Sequence, residues 1–396
     1  MRWVLLLVPL LLLALAVGLR PAPTPPPRAR LALQEVLGAP AEEGYARALQ
    51  PRAFRFPADH GPHPEFSAEW WYFTGNLQGP DGRPFGYQLT FFRKALSPRP
   101  VRRTSAWAAS QAWMAHLALT DVQAGKHRAW ERFSREALDL AGARSQPFRV
   151  WLEDWQVVGG PAGPWRLVAA ADDARLELDL QATRPPVLQG DRGLSRKGSQ
   201  PGNASYYYSL TRLETRGHVQ VGGERHPVTG LSWMDREWST SALEPGQVGW
   251  DWFSLQLSDG SDLMLYQLRR TDGTADPASS GSLADAPAGS GVTVPRPFAA
   301  ADMRLLPRGT WRDPEGTRWP VRWRIEIPRE DLVLDVEPWL EAQKMDLSVP
   351  YWEGAIRARG TRRGRPVEGR GYLELTGYSS ASRQVPPGPS KNPGSP

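Results

Sequence analysis

A chain of 396 residues, 40% hydrophobic and 23% charged, is long enough for two ordinary domains and has a globular rather than a disordered balance. Its net charge of +6 comes from arginines interleaved with acids, without a run of five or six like charges, which argues against nucleic-acid binding. Cysteine is absent, so disulfides, thiolate metal sites, a cysteine nucleophile and lipoprotein attachment are excluded, while 18 tryptophans point to a lined cavity or groove.

The chain opens on a basic start, an apolar run from Trp3 to Leu19 and the small-residue triplet Ala14, Leu15, Ala16. This reads as an export signal, because the run is short for a spanning helix, which needs about 20 apolar residues. A periplasmic or secreted protein is expected, with an N-terminal membrane anchor as the alternative. Pro21 to Pro27 forms an extended tether, so residues 1–28 are signal and tether. Residues 29–50 carry a helical pattern cut by Gly38 and Pro40.

From there the pattern is β: short alternating runs such as "RLELDLQ", "VRWRIEIP" and "GYLELTGY" separated by Gly, Pro and Asp turn signals. Two stretches, residues 272–291 and the tail 384–396, are poor in large apolar residues and are expected to be flexible. The basic run "RARGTRRGRPVEGR" reads as a solvated hairpin turn.

An internal repeat sharpens the fold. "WYFTGNLQGPDGRPFGYQLTFFR" from Trp71 and "WFSLQLSDGSDLMLYQLRR" from Trp252 share an aromatic pair, an Asp-Gly turn, Tyr-Gln-Leu and a closing Arg, the grammar of a β-hairpin. "HPVTGLSWMDREWS" from His226 and "RPVEGRGYLELTGYS" from Arg365 share Pro-Val-x-Gly followed by an aromatic and an acid, Asp235 or Glu374. Opening hairpin and closing strand thus occur twice in the same order. The reading is an all-β protein of two consecutive antiparallel β domains, 51–240 and 241–383, each a sandwich or barrel and made by duplication.

Strand alternation puts Glu69, Trp71 and Phe73 on one face and Trp70 and Tyr72 on the other. Likewise Trp233, Asp235 and Glu237 share a face, opposite Met234, Arg236 and Trp238. An acid among tryptophans is desolvated, which raises its pKa and keeps a proton available at neutral pH. Asp235 and Glu69 are therefore candidate general acids, against the plainer reading in which they pair with Arg236, Arg93 or a backbone N–H. His116, between Met114 and Ala118 on its strand face, is a third candidate, although a lone histidine there more often belongs to the core.

Trp71, Tyr72, Trp233, Glu237, Trp250 and Trp252 are the expected ligand-binding residues. Glu69, Trp71 and Asp235 are expected around one cavity, Trp250 and Trp252 near its mouth, and Trp70 and Tyr72 against the second domain. Metal, P-loop and Ser-hydrolase motifs are absent, and Gly61 with Pro62 and Pro64 spoils the spacing of His60 and His63 as ligands. No cofactor is expected.

At "AEWWYFTGNL", "GYQLTFFR", "WMAHLALTDV", "GLSWMDREWS", "WDWFSLQLSDGSDLMLYQLR" and "YWEGAIRARG…GRGYLELTGY" the chain resembles the AttH and carotenoid 1,2-hydratase (CrtC) family. These segments run in order from about residue 60 to 380. The resemblance implies two consecutive lipocalin-like antiparallel β-barrel domains, in agreement with the repeat. It implies either an exported protein that binds a hydrophobic lipid or isoprenoid-like ligand, accessory to an ABC transporter permease, or a cofactor-free hydratase or isomerase of such a lipophile. The export signal favours the binding protein. A membrane surface is admitted as a further partner.

Overall fold

The computed structural model describes residues 43–98, 105–160, 163–240, 243–286 and 291–379. The export signal, the tether, most of the expected helical segment and the tail 384–396 lie outside the described residues. Glu43 to Gln50, the described end of that segment, is turn and irregular chain, not helix. Its apolar residues pack singly: Ala48 is buried in the first core while Leu49 points outward, so no helical stripe is used.

The fold is all-β and consists of two antiparallel, barrel-like sheets; among the described residues the helical turns are single-turn 3₁₀ segments. Sheet one is built from β1 (Ala68–Gln78), β2 (Pro84–Ala95), β3 (Gln111–Asp121), β4 (Lys126–Arg135), β5 (Ala141–Ser145), β6 (Phe148–Leu152), β7 (Trp155–Gly159), β8 (Trp165–Ala171), β9 (Ala174–Ala182), β10 (Val187–Leu188), β11 (Leu194–Arg196), β12 (Ala204–Val221) and β13 (Glu224–Ser239). Sheet two comprises β14 (Gln247–Leu257), β15 (Asp262–Arg270), β16 (Ser280–Ala284), β17 (Arg296–Ala299), β18 (Arg304–Arg312), β19 (Arg318–Ile327), β20 (Leu332–Pro338), β21 (Lys344–Met345), β22 (Tyr351–Arg362) and β23 (Arg365–Leu375).

The main strand order is 4-3-2-1-13-12-9-8-7-6-5 in sheet one and 17-16-15-14-23-22-20-19-18 in sheet two. In both, the opening hairpin, β1–β2 or β14–β15, pairs with the closing strand, β13 or β23. The repeated sequence grammar thus corresponds to a repeated topology. The basic run of residues 357–370 is the β22–β23 hairpin, turning through Arg363 and Gly364 at φ 53° and 70°, the mirror-image turn that matches strand twist. The expectation of flexibility over 272–291 fails for its described part. Ser280–Ala284 forms β16, and Asp276 is buried, bonded to Arg270 and the Ala278 N–H. Side-chain hydrogen bonds, invisible in composition, order a segment that has few large apolar residues.

Alternation decides what each strand buries. In β9 the odd–even pattern sends Leu176, Leu178 and Leu180 into the interior of sheet one and leaves Glu177 and Asp179 outside. The strands β1, β13, β14 and β23 are different: one face fills the interior of its own sheet and the other faces the opposite sheet. Trp71, Phe73, Met234 and Trp238 belong to the first core, Phe253, Trp323 and Trp352 to the second. Tyr72, Tyr207, Trp233, Trp252, Tyr266 and Tyr372 form a third cluster between the sheets. A strand buried on both faces cannot alternate with polar residues, which explains the unbroken Trp70, Trp71, Tyr72, Phe73 run. Gly86 marks a close approach: a Cβ there would lie 2.7 Å from Ala355 Cβ and 3.0 Å from Tyr372 Oη.

Candidate functional site between the sheets

Register places the chemistry. Across sheet one, Ser209, Asp235, Tyr72, Thr90 and His116 lie directly opposite one another in a single row. The adjacent row holds Tyr207, Glu237, Trp70, Phe92, Met114 and Phe133. Sheet two presents the row Glu353, Glu374, Trp252 and Tyr266. Residues directly opposite in antiparallel strands share a face, and these faces look at each other across a cavity of about 310 Å³. Trp70, Phe92, Met114, Trp250, Trp252 and Leu268 supply apolar wall.

Asp235 is buried and saturated with donors. Its Oδ1 accepts from Ser209 Oγ and Trp233 Nε1, both at 2.6 Å, and its Oδ2 accepts from the Tyr207 hydroxyl. Trp252 Nε1 in turn donates to Tyr207 Oη at 3.2 Å. Burial pushes the Asp235 carboxyl up to about 7 although these three donors favour its anion.

Glu374 and Glu353 are direct cross-strand partners with far fewer donors. Burial pushes Glu374 up to about 8, the charges of Asp235 and Glu237 add to it, and a single 3.0 Å bond from Trp250 Nε1 opposes it. Burial and then Glu374 push Glu353 well above the usual range. Glu353 Oε1 accepts from the Tyr72 hydroxyl at 2.6 Å, while its buried Oε2 has no protein partner. Two carboxyls this close in a dry site cannot both ionise. Lys197 is the cavity's compensating cation. Burial alone would lower it, but Glu237 at 3.2 Å, together with Tyr266 and Asp235, outweighs burial and its pKa is raised; it also sits 4.2 Å from the Tyr266 ring centroid.

Of the residues expected from the sequence, Asp235, Tyr72, Glu237, Trp250 and Trp252 line the cavity with side chains, and Trp233 buttresses it through Asp235. His116 also lines it. Its Nδ1 lies 2.8 Å from Tyr351 Oη, its Nε2 is buried without a partner, and burial pulls it down to about 3, so it is neutral and no acid.

Glu69 and Trp71 must be corrected. Tyr72 pairs with Asp235 and Glu69 with Trp238, so Glu69 and Asp235 point to opposite sides of the sheet. Glu69 borders the cavity, but its carboxylate turns into the interior of sheet one, where it accepts from Arg93, Arg236 and the His63 N–H. Burial alone would raise it, but Arg236 and Arg93 hold it well below the usual carboxylate range, and it cannot be a proton donor. Trp71 stacks on Trp113 at 5.7 Å beneath the Arg236 guanidinium and is core. Trp70 and Tyr72 face the second sheet.

Glu353, Lys197, Tyr207 and Tyr351 escaped the sequence reading. Only Glu374 carried a signal, as the repeat counterpart of Asp235. Among the described residues no group of three or more His, Asp or Glu is arranged to hold a metal ion.

A family model described as AttH-like matches residues 47–378. The solved structure of an AttH protein from Nitrosomonas europaea superposes with a TM-score of 0.75 at 38% identity, covering 84% of this chain and 100% of that one. Kievitone hydratase from Nectria haematococca superposes at 0.63 with 14% identity over 86% of this chain and 98% of that one, a likeness of fold. Dehydratase asqC of Emericella nidulans is 25% identical over 227 residues, 53% of this chain; the match spans 60% of that curated relative's length.

Proposed function

The chain belongs to the AttH-like family, and we propose that it is a hydratase- or dehydratase-type enzyme whose reaction runs in the cavity between the sheets on a lipophile. The observation that carries this reading is a set of buried carboxyls in one aromatic-walled cavity whose environments push them apart in role. Glu374, with a pKa of about 8 and one donor, holds a proton at neutral pH. Asp235, near 7 with three donors around its anion, is the group that gives a proton up. Separated acid and base assignments of this kind are what proton-transfer chemistry needs.

In the dehydration direction Asp235 takes the proton from carbon, the C–O bond breaks, and Glu374 protonates the departing hydroxyl, which leaves as water. Hydration runs the same steps backwards. Where the substrate is an isolated alkene, Glu374 protonates the C=C bond, the faces of Trp250, Trp252 and Tyr72 stabilise the cation, and the water that adds to it gives its extra proton to Asp235. Burial and the charges of Asp235 and Glu237 keep Glu374 neutral, and Glu374 in turn helps to keep Glu353 neutral.

A second reading, carriage of the lipophile as an exported accessory of an ABC transporter, is favoured by the apolar wall alone. It gives no task to Asp235, Glu353 and Glu374, whose burial costs free energy. The test is to incubate the purified protein with hydroxylated and unsaturated lipophiles and follow gain or loss of one water by mass spectrometry. Turnover that disappears in Glu374→Gln and Asp235→Asn is expected. Ligand retained unchanged by wild type and both variants would establish carriage and overturn the enzyme.

A further inference from the structure

The cavity's lining reaches one end of sheet one, through Ala68, Lys94, Ala112 and the exposed Phe133, and that end is apolar and basic in a graded way. Moving outward along the cavity-facing side, the first row contains Asp235 and the second contains Trp70, Phe92, Met114 and Phe133. The outermost row is Ala68, Lys94, Ala112 and Arg135. Acid, then apolar, then cation is the order met from the depth to the rim.

Around this rim stand Leu96, Trp107, Phe133 and Leu138, exposed by 58%, 57%, 53% and 56%, half of the large hydrophobic residues exposed among the described residues. Hydrogen bonds tie the segments that carry them. The Leu96 N–H donates to Ser110 O at 2.8 Å, and Ser110 donates through both its N–H and its hydroxyl to Glu136 at 2.8 Å. Glu136 lies between Phe133 and Leu138 in the chain, and Trp107 lies in the same loop as Ser110. Of the nearby acids, Glu136 accepts from Ser110 and keeps its charge, while Asp139 lies 3.9 Å from Arg149. Exposed apolar residues on linked segments at one water-facing end mark an interaction surface.

We propose that this end of sheet one docks on an anionic lipid bilayer, so that the cavity loads its lipophile directly from the membrane. The proposal rests on the reading of the cavity as a lipophile site. Trp107, Leu96 and Leu138 enter the headgroup region, where a tryptophan's apolar body and N–H are both accommodated. Arg135 and Lys94 meet the anionic headgroups, and Phe133, which also lines the cavity, links bilayer to interior. A neutral or cationic partner surface would waste the outermost row, whereas an anionic one matches it.

The cysteine-free chain permits a site-resolved test. Leu138→Cys and, as control, Val294→Cys, exposed beside the pairing of Thr293 with β10, each carry one environment-sensitive fluorophore in the full-length protein. Vesicles of equimolar phosphatidylglycerol and phosphatidylcholine are expected to blue-shift the label at 138 and leave that at 294 unchanged. Arg135→Gln should raise the lipid concentration at half-maximal shift about fivefold, and vesicles of phosphatidylcholine alone should give a weaker response. No shift at 138, or equal shifts at both positions, overturns the docking. Trp107→Ser is expected to abolish the shift while leaving turnover of a detergent-dispersed lipophile unchanged. Loss of turnover in wild type with the shift intact would instead refute the enzyme and leave the docking standing.

Discussion

The Tyr72 hydroxyl of sheet one donates a 2.6 Å hydrogen bond to Glu353 of sheet two, residues 281 positions apart, and so ties the two sheets together at the wall of the cavity. Glu353 is neutral under the combined effect of burial and Glu374, and this bond is the partner of its Oε1. Tyr72→Phe leaves the carboxyl without a protein donor and is expected to cost about 1–3 kcal/mol of unfolding free energy. Glu353→Gln, which keeps a neutral acceptor of the same shape, should cost less. Urea denaturation of both variants checks the order; a larger loss in Glu353→Gln would show that Glu353 is needed as an anion.

Glu374 and Asp235 should set the pH profile of turnover. Activity is expected to rise as Asp235 ionises near 7 and to fall as Glu374 loses its proton near 8, with the apparent values belonging to the coupled pair. Each of Asp235→Asn and Glu374→Gln should lower the rate about 100-fold or more. The residual rate of Glu374→Gln should lose the alkaline limb, and that of Asp235→Asn the acidic one. A profile unchanged in shape in both variants removes them from proton transfer.

The same two acids give stability a measurable slope. Burial raises their folded-state pKa values from 4.5 and 3.8 to about 8 and about 7, so the unfolded chain releases these protons first. Their contribution is complete below the unfolded values and is lost as pH rises through 7 and 8. His60 and His116, buried and lowered from 6.5 to about 4 and about 3, act in the opposite sense but only up to pH 6.5. Between pH 6.5 and 8 the unfolding free energy should therefore fall, by roughly 1–2 kcal/mol per acid. Glu374→Gln should flatten the decline; a wild-type stability that climbs over this interval contradicts the burial of these acids.

Glu69→Gln tests the correction made above. It leaves Arg93 and Arg236 buried against each other without their counter-charge, a change expected to cost about 3–5 kcal/mol. Turnover per folded molecule should stay within a factor of a few, because the carboxyl lies on the far side of the sheet from the cavity. A selective loss of turnover with normal stability would return Glu69 to the list of catalytic groups.

Gly86→Ala probes the packing between the sheets. The added methyl would sit 2.7 Å from Ala355 Cβ and 3.0 Å from the Tyr372 hydroxyl, so the sheets must separate or β2 must shift. A loss of about 1–3 kcal/mol is expected in thermal or urea unfolding. A neutral substitution would mean that the two sheets are not seated this closely in solution.

What the sequence determined by itself is what depends on local pattern: period-two alternation, Asp-Gly and Arg-Gly turns, and a hairpin and closing strand used twice made the all-β class and the internal repeat legible, and the Trp233 to Glu237 segment marked Asp235. Side-chain direction within a strand was also legible, since Glu69 and Trp71 had to oppose Trp70 and Tyr72. What tertiary structure alone decided was the register between β1 and β13, which joins Asp235 to the face of Tyr72 and leaves Glu69 between two arginines in the core. A shift of one residue would have reversed that outcome, and nothing local encodes it. Glu353 and Glu374 became acids only because a second sheet shuts water away from them, and a pKa depends on that exclusion and on charges brought near by folding.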